Sequence, residues 1–198
     1  MGAVLGILFG AVCFLVGGAT WVLTTGFFAM PQISAPAQTT PAPPQEPTPA
    51  PTERPAGSPQ VGKLAPDFSL KNPRTGNILK LSRLTGRPVM INFWATWCKY
   101  CVNEMPLMEA AYQARAADGL MILAIDVEET SQEVLNFADY LGLSFTFLLD
   151  TQGDVAKLYR VHAFPTSFFI TPEGKISKIY AGTLTEGELN SYLDKIMK

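Results

Sequence analysis

Hydrophobic positions along the second half of the chain fall into alternating strand-like and helix-like patterns. Pro88 to Trp94 (P-V-M-I-N-F-W) and Leu120 to Val127 (L-M-I-L-A-I-D-V) are nearly continuous apolar runs. Runs of this length predict strands buried on both faces. Thr166 to Ile170 predicts a third strand, and Lys175 to Tyr180 a fourth after the turn at Pro172-Glu173-Gly174. Between them, Lys99 to Ala117 reads as an Ala- and Met-rich helix ending at Asp118-Gly119. Ser131 to Leu141 reads as a helix with Ser131 as its N-cap, spaced Val134, Leu135, Ala138 and Leu141, and a closing Gly142. Thr185 to Met197 opens with a Thr cap and has Glu188 at the capping-box position. Strands and helices in alternation predict an α/β fold around a central sheet.

The first 60 residues have a different pattern. Residues 1–30 are apolar and carry no charged side chain. Ala3 to Leu23 has the length of a helix that crosses a ~30 Å hydrocarbon core, with Trp21, Phe27 and Phe28 near its far end. A cleaved signal peptide is the rival reading, but no Lys or Arg precedes the core, which exceeds the usual 7–15 residues. The expectation is an uncleaved single-pass signal-anchor. Cys13 then reads as a small apolar residue of that helix, since the bulky Val12 before it disfavours lipid attachment. Residues 31–60 hold ten prolines among Ala, Thr and Gln. Such a stretch lacks the apolar side chains that offset ordering entropy, so it reads as a disordered, extended tether of up to roughly 90 Å. The chain thus divides into an anchor (1–30), a Pro-rich linker (31–60) and a globular domain (61–198).

Charge adds little. The domain's 14 Lys and Arg nearly balance its 15 Asp and Glu, and no basic run interleaves with aromatics, so no nucleic acid is expected as a partner. The first charged residue is Glu46 and the first basic one Arg54, so the positive-inside rule has nothing to act on. Three cysteines are too few for a disulfide framework.

Cys98 and Cys101 point to chemistry instead. They sit in Trp94-Ala95-Thr96-Trp97-Cys98-Lys99-Tyr100-Cys101, where a predicted buried strand gives way to a helix. A cysteine at a helix N-terminus faces free N–H groups and the positive end of the macrodipole, both of which favour the thiolate. The thiolate is the attacking species in disulfide exchange. Cys101, one turn on, is placed to close a bond with Cys98 and suits a shielded, resolving thiol.

With these residues in view, the chain resembles the TlpA/ResA-like membrane-anchored thiol–disulfide oxidoreductases of the thioredoxin superfamily. The resemblance covers Val61 to Lys198. It rests on Ala65-Pro66-Asp67-Phe68, the W-C-x-x-C block, Glu104-Met105-Pro106 and Phe164-Pro165-Thr166. It implies a thioredoxin-like fold, a central mixed β-sheet flanked by helices, preceded by a single transmembrane helix. It also implies a cell-membrane protein with a cytoplasmic N-terminus and an extracytoplasmic domain. The implied activity is reduction of disulfide-containing protein substrates in cytochrome c maturation or a related pathway, with apocytochrome c and oxidase assembly proteins as candidates. Electrons would come from a membrane thiol donor, and no cofactor is expected.

Residue by residue, Cys98 matches the attacking cysteine, Cys101 the resolving one and Pro165 a cis-proline beside the disulfide, with Trp97 and Phe164 bordering the substrate. Glu104 matches an acidic residue peculiar to this subgroup. It is read either as a buried carboxylate that exchanges a proton with Cys101, or as a solvated helix residue. Asn92 stands where ordinary thioredoxins place a buried Asp, so a proton role there would pass to Glu104. Two other functions stay in view. A Cu(I)-delivery module would use the two thiolates, with the lone His162 as a further ligand, though copper carriers on this fold usually show a C-x-x-x-C spacing. A peroxiredoxin-like peroxidase shares the A-P-D-F opening, but Ala95 stands where that class has Thr. Zinc is not expected, because the domain offers no second cysteine pair and one His.

Overall fold

The computed structural model describes residues 57–198. The expected anchor, and all of the linker but its last four residues, lie outside the described residues. Among the described residues, no helix is long and apolar enough to cross a membrane.

The elements in chain order are β1 (Ser69–Lys71), β2 (Ile78–Lys80), β3 (Val89–Trp94), α1 (Lys99–Arg115), β4 (Met121–Val127), α2 (Ser131–Leu141), β5 (Thr146–Asp150), α3 (Asp154–Leu158), β6 (Thr166–Ile170), β7 (Ile176–Ala181) and α4 (Glu186–Ile196). Seven strands form one sheet in the order β2-β1-β5-β4-β3-β6-β7. β3 runs parallel to β4 and β4 to β5, while β6 pairs antiparallel with both β3 and β7. The sheet is therefore mixed, as expected. The four strands predicted from apolar runs are β3, β4, β6 and β7.

β3 lies at the heart of the fold, and all six of its residues are buried. Met90 and Trp94 face the layer built from α1, α2 and α4, where they meet Met105, Val134 and Leu189. Val89, Ile91 and Phe93 face the opposite layer, with Phe68, Leu81, Val155 and Tyr159. Two-faced burial is why the run reads as apolar without alternation. The Ala65–Phe68 motif closes this second layer. Ala65 and Phe68 are buried, the Pro66 carbonyl accepts the Tyr159 hydroxyl at 2.6 Å, and Asp67 Oδ1 accepts the Ser82 N–H at 2.8 Å.

One helix start needs correction. Ser131 is not the N-cap of α2; it is the first helical residue, and Thr130 caps the helix. Thr130 Oγ1 accepts the Glu133 N–H, and Glu133 Oε2 in turn accepts the Thr130 N–H at 2.8 Å. Only from position 130 does the third residue on carry the carboxylate that a capping box needs. The corresponding box at Thr185 and Glu188 stands as expected. α1 stops at Arg115 rather than Ala117, and its last residues tighten into a 3-10 turn over Ala116–Asp118.

Candidate active site

β3 ends at Trp94, three residues turn the chain, and Cys98 becomes the N-cap of the 17-residue α1. Its Sγ accepts the Cys101 N–H at 3.2 Å, taking one of the donors that every helix leaves free at its start. Cys98 and Cys101 form a disulfide across a Cα–Cα distance of 5.3 Å. Cys98 is 7% exposed and Cys101 fully buried, so only the first sulfur has an edge toward solvent. The turn before them is tied down from a distance: Glu129, after β4, accepts the Thr96 N–H at 2.6 Å and also the Thr96 hydroxyl.

Of the other expected site residues, Trp97 and Phe164 line the same cavity as Cys98. The Phe164–Pro165 peptide bond is cis and leads directly into β6. Trp97 is 71% exposed, and its ring lies 5.9 Å from that of Phe164. A cavity of about 450 Å³ is lined by Trp97, Cys98, Tyr100, His162 and Phe164. His162 thus borders the site while remaining exposed. Among the described residues, no three His, Cys, Asp or Glu side chains cluster to hold a metal ion.

Glu104 is not a solvated helix residue. It lies on the buried face of α1 with Cys101, Met105 and Met108, and is 1% exposed. Its Oε1 accepts the Asn92 Nδ2–H at 2.7 Å and its Oε2 accepts the Leu184 N–H at 3.0 Å. The Asn92 amide also donates to Ser167 Oγ at 3.0 Å. Burial raises the Glu104 pKa from 4.5 to about 7, against the pull of the Leu184 and Asn92 donors. A carboxylate so poised takes up and gives back a proton near neutrality.

A second buried carboxylate, Asp126, had not been singled out. It lies on β4 in register with Trp94 and has no solvent exposure. Neither carboxyl oxygen has a hydrogen bond of regular geometry. Burial first, and then the neighbouring Glu129, push its pKa up to about 9. The signal was present in the chain, since a charged letter interrupts an otherwise apolar strand. The Glu129–Thr96 tie had no such signal, because its partners are 33 residues apart.

A mixed sheet with helices on both faces, carrying a disulfide where its central strand passes into a helix, defines a thioredoxin-like thiol–disulfide oxidoreductase. Comparison with known proteins agrees. The AhpC/TSA family model matches residues 61–179. The ResA thiol–disulfide oxidoreductase of Geobacillus thermodenitrificans is 40% identical over 136 residues, 69% of this chain and 78% of that protein. The ResA protein of Bacillus subtilis is 39% identical over 135 residues, covering 68% and 75%. Among solved structures, a putative thiol:disulfide interchange protein DsbE from Chlorobium tepidum superposes with a TM-score of 0.66. It is 29% identical and covers 71% of this chain and all of its own. The chain belongs to the AhpC/TSA family and is a ResA-like thiol–disulfide oxidoreductase within it.

Proposed function

We propose that this chain is a membrane-tethered, extracytoplasmic reductase of protein disulfides, acting in cytochrome c maturation or a related assembly pathway. The observation that carries the reading is a disulfide at the start of α1 with a buried carboxyl group, Glu104, one turn behind Cys101. In the reduced protein, the Cys98 thiolate attacks one sulfur of a substrate disulfide and expels the other as a thiolate, leaving a mixed disulfide. Cys101 then gives its proton to the Glu104 carboxylate, and the resulting thiolate attacks Cys98 Sγ. The Cys98–Cys101 bond forms, the substrate leaves as a second thiolate, and two electrons have passed to it. A membrane thiol donor restores the dithiol by the same exchange in reverse.

Below about pH 7 Glu104 is neutral, so its charge does not oppose the helix-end stabilisation of the Cys98 thiolate. Above that pH its negative charge works against the thiolate while its oxygens become proton acceptors. Trp97, Phe164 and Pro165 are read as the substrate-facing wall. The apolar, charge-free residues 1–30 support the anchor, and the reductase reading supports a domain outside the cytoplasm.

Cys101→Ser tests the mechanism, because without its resolving thiol the protein should accumulate substrates linked to Cys98. Mass spectrometry of the trapped adducts then identifies the pathway, and recovery of no thiol-linked partner would overturn it. For topology, protease added outside intact cells should digest the domain, and its survival would refute the orientation.

A further inference from the structure

Trp97 borders two depressions. The first is the 450 Å³ cavity that contains Cys98. The second, about 340 Å³, is also lined by Trp97. Its lining includes the buried Val127 and Ala156, the partly buried Val161, and Glu128. Trp97, Val161 and Phe164 line both depressions, so the second continues the first rather than forming a separate feature.

We infer that the second depression is a subsite for an apolar side chain of the substrate, two residues from the cysteine that Cys98 attacks. The inference deepens the proposed function, since it takes a substrate disulfide to be held over Cys98. In an extended peptide, side chains two positions apart point to the same face, about 6.4–6.8 Å from each other. A strand laid across Trp97 and Phe164 with its cysteine in the first depression therefore places one further side chain in the second. This lining selects for apolar character. Val127 and Ala156 are 7% and 6% exposed and present only methyl groups, and the volume is ample for a large side chain.

Glu128 adds a charge preference. Lys157 also lines this depression, but its Nζ is held by the Gln152 carbonyl at 3.0 Å and by Asp154 at 3.4 Å. Glu128 has no ion pair among the described residues, so it offers an unpaired carboxylate there that favours basic over acidic substrate neighbours. Its position is specifically built. Glu128 holds a left-handed backbone (φ 67°), and its carboxylate lies over Gly153. A Cβ at Gly153 would meet Glu128 Oε1 at 2.8 Å.

The test uses the full-length, reduced protein in detergent and disulfide-linked dimers of a short Gly-rich peptide with one cysteine. Residues two before and two after that cysteine are varied in turn among Ala, Leu and Phe, and their neighbours between Lys and Glu. Second-order reduction rates are read by stopped-flow tryptophan fluorescence. Leu or Phe should exceed Ala about tenfold at one of the two positions only, and Lys should exceed Glu beside it. Ala156→Phe, which fills the subsite, should bring the Leu-to-Ala ratio to about one. Glu128→Lys should invert the Lys-to-Glu ratio. Both are ratios within one preparation, so any unfolded fraction divides out. Equal rates for Ala, Leu and Phe at both positions, with 5,5′-dithiobis(2-nitrobenzoate) still reduced, would overturn the subsite alone. Failure to reduce that reagent and every peptide would overturn the underlying reductase reading, and the subsite with it.

Discussion

Replacing Glu104 by Gln removes the buried ionisable group while keeping the side chain's shape, and its consequence can be worked out from the hydrogen bonds around it. The carboxylate accepts from both Asn92 and Leu184. A Gln has one acceptor oxygen, which stays with the Leu184 N–H, and its NH2 then faces Asn92. The Asn92 Oδ1 has no partner in the wild-type protein. Turning that amide over presents Oδ1 to the new NH2 and to the Ser167 hydroxyl, and moves the unpartnered end of Asn92 from its oxygen to its NH2. Glu104→Gln is therefore expected to fold.

Its stability should differ from wild type in a pH-dependent way. The folded-state pKa of Glu104 is raised from 4.5 to about 7. A raised value means that its contribution to stability is fully present below about pH 4.5 and lost as pH rises through 7. At roughly 1.36 kcal/mol per pH unit the loss approaches ~3 kcal/mol. The difference between Glu104→Gln and wild type should thus shift in the variant's favour by that amount between pH 4.5 and 8, then level off. Urea unfolding of the two oxidised proteins at half-unit pH steps measures it. Parallel stability curves across this range would refute the claim that Glu104 is held neutral by burial.

Asp126→Asn should likewise gain on wild type as pH rises from about 4 towards 9, because the raised pKa of Asp126 costs stability throughout that window; a constant difference in unfolding free energy would contradict this. Thr130→Ala should cost about 1 kcal/mol in urea unfolding through loss of the α2 cap, whereas Ser131→Ala should stay within about 0.5 kcal/mol. Asn92→Asp should put a second carboxyl group against Glu104, so that the pair retains a shared proton well above pH 7. The pH–rate profile for disulfide reduction should then move to the alkaline side, and an unshifted profile would count against a proton role for Glu104.

The parts of the fold that could be read from the chain are those whose burial leaves a local trace. β3 and β4 are apolar on both faces, and α4 opens on a capping box, so each declared itself within a few residues. β1 and β2 are three residues long, and α3 is five, too short for any period to register. β5 did carry a trace, with Phe145, Phe147 and Leu149 alternating onto one face, but Gly142 and the polar Ser144 and Thr146 broke up the run. At the site, the cysteine spacing was legible directly, while the cis-proline and the interest of Glu104 came only through the resemblance. The carboxylate's depth was not legible, because it depends on Leu184 arriving from the other end of the domain, 80 residues away.

Asn92 and Glu104 are best understood together. Their side-chain atoms are 2.7 Å apart on the α1 side of the sheet, a spacing that tolerates one negative charge but not two. With an amide at 92, the single ionisable group sits on the helix that carries both cysteines, and the Asn92 donor lowers its pKa from where burial alone would set it. Asn92 in turn is oriented by Ser167, two residues after the cis-proline. Three elements that meet at the disulfide, β3, α1 and β6, therefore converge on the protonation of one carboxyl group. A change on any of them that disturbs this network should alter the acid–base behaviour of the site before it alters the fold.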